Sequence, residues 1–229
     1  MAGTARRPTG RYAGRSAEER RAERRRRLLD AGLQLFGDSP GYRATSVSAL
    51  CEAAGLSTRQ FYEEFRSLEE VLATLHLMVN DHAERATRAA LAEAADLDIE
   101  ERAAAAFRAY AAAATGDPRY IRIAFVEIVG VSPRLERQRL ARRARWVELI
   151  RSEATAAAER GEAAVRDYRI ASTAFIGAVN GLLHDWSAGE VDATLDQIVD
   201  ELVLLLLGML RPAGWQRPGN AGPTASPKG

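Results

Sequence analysis

The chain has 229 residues, 47% hydrophobic and 28% charged, which suits a globular protein with a sizeable core and excludes disorder throughout. Its longest apolar run, Leu202 to Leu207, or to Leu210 if Gly208 is admitted, falls far short of the roughly 20 residues needed to cross a bilayer, and the basic start lacks a secretory apolar segment. No membrane partner is therefore expected, a cytoplasmic location is, and the single cysteine, Cys51, excludes an internal disulfide or a cysteine-rich metal cluster.

The net charge of +1 conceals an asymmetry: ten arginines face four acidic residues in the first thirty positions, and the remainder is net acidic. Residues 1–16, with Pro8, Gly10 and Gly14, read as a disordered basic arm suited to a polyanion, nucleic acid before membrane, or as a solvated tail. Residues 211–229 are a second Pro/Gly-rich tail. Between them Ala, Leu, Glu and Arg dominate and apolar residues recur at three- and four-residue spacing, so the fold class is all-α.

A first helix is predicted over 17–37, its basic start giving way to Leu28, Leu29, Leu33, Leu35 and Phe36. After a break at Ser39, Pro40 and Gly41, a short helix begins near Thr45 or Ser46 and turns Val47, Leu50, Cys51 and Ala54 inward. Gly55 ends it, supplying a positive φ, and Ser57 caps a second short helix from Thr58 to about Glu64 that places Phe61 and Phe65 in the core. Two short helices joined at a glycine form a candidate helix-turn-helix, with Thr58, Arg59, Gln60, Tyr62 and Glu63 exposed for groove contacts; an ordinary helical hairpin is the other reading of the spacing.

The segments 28–36 (LLDAGLQLF), 41–47 (GYRATSV) and 54–67 (AGLSTRQFYEEFRS), followed by Glu69, resemble the N-terminal domain of TetR-family transcriptional regulators. The resemblance implies an all-α homodimer that binds operator DNA through residues 17–66 and carries dimerisation and a ligand pocket in residues 67–210. It places the recognition helix at 57–64, Tyr62 at the family's phosphate-contacting tyrosine, Phe65 in its core position, and Thr45 and Ser46 at the helix start laid against the DNA backbone. The DNA-binding set is then Thr45, Ser46, Ser57, Thr58, Arg59, Gln60 and Tyr62. Departures are Arg59 where glycine is frequent, Gln60 where threonine or alanine is, Leu68 where lysine is common, and Gly32 for a usual alanine. Glu63 and Glu64 lower the positive charge beside the groove, which the basic arm would offset.

The next helix opens on a capping box, 67–70 (SLEE), and continues to about Glu93 as a lever between the two modules. Further helices are predicted near 99–115, 117–130, 132–160, 165–187 and 191–210. The last carries two apolar stripes, Leu195, Ile198, Leu202, Leu205 and Met209 beside Val199, Val203, Leu206 and Leu210, and the helix before it is rich in small residues. A homodimer interface is expected there, using Phe175, Ala178, Gly181, Leu182, Leu202 and Leu206. Phe107, Tyr110, Phe125, Trp146 and Phe175, large rings on an alanine-rich scaffold, are the candidate pocket for a small apolar ligand, with Glu127, Asn180 and His184 as polar groups nearby.

No cofactor is expected. His76, His82 and His184 have no metal-ligand spacing, G-x-S-x-G is absent, and Asp185 adjacent to His184 projects from a different helix face, so neither catalytic nor metal residues are assigned and an enzyme is excluded. The expected function is a ligand-responsive regulator, a repressor on a palindromic operator; a non-sequence-specific architectural DNA binder and a helical interaction adaptor are the alternatives.

Overall fold

The computed structural model describes residues 16–211 and 214–215, and among them the structure is helical with no strand. The expectations for the arm at 1–15 and for most of the tail lie outside the described residues. Nine α-helices follow in order: α1 Ala17–Gly37, α2 Val47–Ala54, α3 Thr58–Glu64, α4 Leu68–Glu93, α5 Ile99–Thr115, α6 Pro118–Ile121, α7 Pro133–Glu159, α8 Arg169–Ser187 and α9 Leu195–Leu210.

Polar caps set most boundaries. Ser16 and Glu19 close a capping box at α1, Ser46 accepts from the Ala49 amide at α2, Ser57 and Gln60 form a second box at α3, and Thr194 and Gln197 a third at α9. Gly55, at φ 61° and ψ 40°, is left-handed as the turn between α2 and α3 requires. Ser67 caps α4, but its amide is not met by Glu70, whose carboxylate accepts from Arg66 N instead.

Two cores organise the molecule. The first gathers Leu28, Phe36, Leu50, Phe61, Phe65, Val71, Leu72 and Leu75 around the helix-turn-helix. Residues 17–66 do not close it: Ile123, Ile128 and Leu135, all fully buried, complete it from far along the chain. They arrive through a departure from the single helix expected over 117–130, because α6 stops after one turn and Arg122–Glu127 widen into a π-helical turn. With i→i+5 bonding, residues five apart stack, so Ile123 and Ile128 face the first core together. The second core, from α5, α7, α8 and α9, gathers Phe107, Tyr168, Phe175, Val179, Leu183, Ile198, Leu202 and Leu206.

Straps tie α4 and the 122–145 region together and to the helix-turn-helix. Glu127 accepts from the Tyr42 amide at 3.0 Å, Arg43 reaches the Val129 and Gly130 carbonyls, Ser132 donates to Glu69 at 3.0 Å and Gln138 to the Ala73 carbonyl at 2.9 Å. Glu127 is therefore a structural strap and not a pocket group.

Close approach explains two glycines of α1. A Cβ on Gly32 would meet Val71 Cγ1 at 2.8 Å, so the departure from alanine reflects α1 packing on α4. At Gly37 the added atom would lie 2.4 Å from Arg119 Cβ and 3.0 Å from its Cα, a clash with α6 that no side-chain rotation relieves. Gly37→Ala should therefore destabilise the protein by about 1–3 kcal/mol, outweighing the ~0.5–1 kcal/mol that alanine gains inside a helix. Circular-dichroism melting checks this, and an unchanged melting temperature contradicts the close α1–α6 contact.

Candidate functional site

The exposed edge of α3 is the first candidate site. Arg59, 89% exposed, lies 3.4 Å from Glu63 one turn on, and Tyr62, 59% exposed, stands edge-on to the buried Phe61 ring. Ser46, Ser57 and Thr58 are also accessible at the surface. The Ser46 and Ser57 hydroxyls also accept helix-cap amides, and two further predicted residues are engaged internally. Thr45 is buried and its hydroxyl donates to the Gly41 carbonyl at 2.8 Å, which corrects its placement against DNA: it anchors the turn before α2. Gln60 directs its side-chain oxygen at the Ser57 amide, 2.9 Å away, so that atom serves the cap and not a base.

The basic start of α1 is also used internally. Glu64, with a fully buried side chain, receives Arg21 Nε at 3.2 Å and Arg24 Nη2 at 2.8 Å, and Arg25 donates to the Glu64 carbonyl while its guanidinium lies 4.1 Å over the Phe65 ring. Arg27 donates to the Gly55 carbonyl and Arg26 pairs with Glu23 and Asp30. Glu64 thus does not dilute the charge beside the groove; it clasps α1 to the end of α3. Glu64→Gln should cost about 2 kcal/mol, less than the ~3–5 kcal/mol of a fully enclosed pair because Arg21 returns to water. Urea unfolding measures it, and a loss within 0.5 kcal/mol, roughly the effect of an ordinary surface substitution, would show the clasp to be dispensable.

The second candidate site is a cavity of about 290 Å³ between α4, α5, the π-helical turn, α7 and α8. Phe107, Tyr110, Phe125 and Trp146 line it as predicted. Phe175 does not: it packs on Phe107, ring centroids 5.6 Å apart, in the second core behind the wall. Tyr110 and Trp146 meet edge-to-face at 5.1 Å, and burial keeps the Tyr110 phenol protonated far above ordinary pH. Asn180 and His184 also line the cavity.

Sequence reasoning missed its polar wall. Arg139, Arg142 and Arg143 of α7 and Arg102 of α5 line the cavity with a single acid, Glu153, which pairs with Arg102 at 2.6 Å. The available signal was spacing: 139, 142, 143, 146, 149 and 150 fall on one face of α7, but a run of arginines reads as a solvated surface. His76 of α4, also lining, is buried; burial and then Arg142 and Arg139 push its pKa down to about 4. Gln138 Nε2 donates to the Ala73 carbonyl and lies 3.2 Å from His76 Nδ1, so that nitrogen accepts and the imidazole is the neutral Nε2–H tautomer.

Half of the residues predicted for a dimer surface are not available at the surface. Phe175, Leu202 and Leu206 are buried in the chain's own second core and are not available to a partner, whereas Ala178 and Gly181 are more accessible and Leu182 is half-buried. The outer face carries Ile170, 77% exposed, on α8 and Leu204, 63% exposed, with Leu205 and Gly208 on α9. Leu204 lies outside both stripes read from the sequence, because α9 buries Ile198, Val199, Leu202, Leu206 and Leu210 along one continuous face.

Residues 28–75 match the model of the bacterial regulatory proteins of the tetR family, and residues 96–210 match the tetracyclin repressor-like C-terminal domain. The chain belongs to the TetR family. It is a helix-turn-helix, DNA-binding transcription regulator of that family. Among solved TetR-like structures, FadR from Bacillus subtilis in complex with stearoyl-CoA superposes with a TM-score of 0.70 at 17% identity over 81% of this chain and 99% of that one. The regulator PfmR from Thermus thermophilus gives 0.64 at 25% identity, over 79% and 97%. AibR, in complex with isovaleryl coenzyme A and operator DNA, gives 0.60 at 21%, over 82% and 97%. No curated protein matches the chain. Among the described residues no helix is long and apolar enough to cross a membrane, and no group of three or more His, Cys, Asp or Glu could hold a metal ion.

Proposed function

We propose that this TetR-family chain is a cytoplasmic repressor that binds a palindromic operator as a homodimer and releases it when an acyl thioester of coenzyme A fills the cavity. The observation that carries the reading is the linkage of the two sites through α4, which begins directly after the recognition helix, packs in the first core and supplies His76, Asn80, Thr87 and Leu91 to the cavity wall. Residues 17–66 then read DNA, with Ser46, Ser57, Thr58, Arg59 and Tyr62 as the contact set, and residues 67–210 bind ligand and partner.

The lining supports this ligand class. Aromatic and aliphatic walls suit an acyl chain, the α7 arginines suit phosphates, and the FadR and AibR structures hold acyl-CoA molecules. The small, largely apolar ligand expected from the sequence would leave those arginines unanswered unless it also carries an anionic group. At roughly 30 Å³ per water-sized group, 290 Å³ takes a medium chain such as octanoyl before the walls must move.

Selection of bound fragments from random duplex DNA tests the DNA half of the proposal. A two-fold symmetric consensus with half-sites about one helical turn apart is expected. Binding to every duplex alike, steeply salt-dependent, would instead mark an architectural protein.

A further inference from the structure

Three arginine nitrogens around the cavity are buried without a hydrogen-bond acceptor: Arg102 Nε, Arg142 Nη1 and Arg143 Nε. Buried donors of this kind call for a partner, and among the described residues the cavity lining offers one carboxylate, already held by Arg102. Arg142 stands apart from the others. Its side chain is 13% exposed, and Nη1 lies 2.6 Å from Asp81 Oδ1 and 3.8 Å from Glu84 Oε2 on α4, off the line a hydrogen bond needs, so charge alone holds it. Glu84 is also served by Arg88 at 3.0 Å and Arg145 at 2.8 Å, and Asp81 is 42% exposed, so both carboxylates keep partners or water if Arg142 leaves.

We infer that Arg142 is the exchange point through which the cavity reports its occupancy: an anionic group on the ligand takes Arg142 from Asp81, and that one of the α4–α7 ion pairs is severed. This rests on the reading of the cavity as a ligand site and adds the step by which it acts. Because α4 runs from the end of the recognition helix to the cavity, loss of the Asp81 tie loosens its hold on α7 while the Glu84–Arg145 pair and the Ser132 and Gln138 straps remain, so α4 pivots about them and α3 moves with it. The anion can be a carboxylate or a coenzyme A phosphate, since either meets a guanidinium.

The test uses the full-length protein with octanoyl-CoA, octanoate and free coenzyme A as probes, following binding by calorimetry and operator affinity by fluorescence anisotropy. Asp81→Asn, at a half-exposed position, removes the competitor without burying anything new. It should bind the operator about tenfold more weakly with no probe present, in protein that remains folded by circular dichroism at the assay temperature, and bind the active probe several-fold more tightly, as reciprocity between the two sites requires. Arg142→Gln should lose at least tenfold in probe affinity and respond to no probe on the operator. An operator affinity in probe-free Asp81→Asn equal to wild type overturns the exchange whatever the probes do. Silence of octanoyl-CoA with wild-type protein, whether or not octanoate acts, overturns the acyl-thioester reading separately. Octanoate acting alone identifies the anion as a carboxylate, and activity confined to octanoyl-CoA identifies the phosphates.

Discussion

Gly181→Arg combined with Leu204→Glu should yield a folded monomer whose operator affinity falls by at least a hundredfold. Leu204 lies on the outer face of α9 with the exposed Leu205, and Gly181 is exposed on α8, the helix of Ile170, at the edge of the cavity; a Cβ on Gly181 or Gly208 would meet nothing within 4 Å. Burying one such leucine against a partner is worth about 1.5–3 kcal/mol, so two introduced charges, each repeated by symmetry, are enough to open the interface. The loss on DNA is larger than any single contact explains, because a dimer engages its second half-site at an effective concentration that multiplies affinity by roughly 10²–10⁴. Light scattering and anisotropy together check the result; a double variant that stays dimeric places the interface elsewhere. Leu202 cannot serve in its place, since it is buried in the second core and a charge there would unfold the chain.

Acid should weaken the fold through His76. Its pKa in the folded protein is about 4, against 6.5 for the free side chain, with burial the main cause and Arg142 and Arg139 adding to it. The unfolded chain therefore takes up a proton as the pH falls through 6.5, while the folded chain resists until about 4. The contribution is fully present above that window and is lost on descending through it, the loss reaching about 2 kcal/mol at pH 5 and about 3 kcal/mol at the lower end. Protonation would also turn the Nδ1 acceptor facing Gln138 into a donor. Urea unfolding of wild type and His76→Gln at pH 7.5 and 5.0 should show the wild type losing about 2 kcal/mol more than the variant; equal losses would show that His76 reaches water.

The helix-turn-helix was legible because local rules and packing agree there. Ser46, Gly55 and Ser57 each have one favourable place at a helix end, and Leu50, Cys51, Phe61 and Phe65 have the spacing to meet. Legibility failed where a residue's partner is distant in sequence. Nothing near Glu64 shows that Arg21 and Arg24 will bury it, and nothing near Ile123 shows that it closes the first core, more than fifty residues from α3. The same holds for the α7 arginines, whose spacing is visible but whose orientation toward α4 depends on the tertiary fold. The aromatic lining was readable from composition, apart from Phe175, because alanine-rich helices leave a volume that large rings border.

Filling the cavity should release DNA, and both events can be followed in one solution. With Trp186 and Trp215 replaced by phenylalanine, Trp146 reports occupancy of the cavity it lines, while a labelled operator from the random-sequence selection reports DNA binding. Octanoyl-CoA should change the Trp146 emission and lower operator affinity at least tenfold over the same concentration range, within the usual span of allosteric coupling. A Trp146 response that saturates while operator affinity stays constant would contradict this mechanism, leaving residues 67–210 with dimerisation but without the switch.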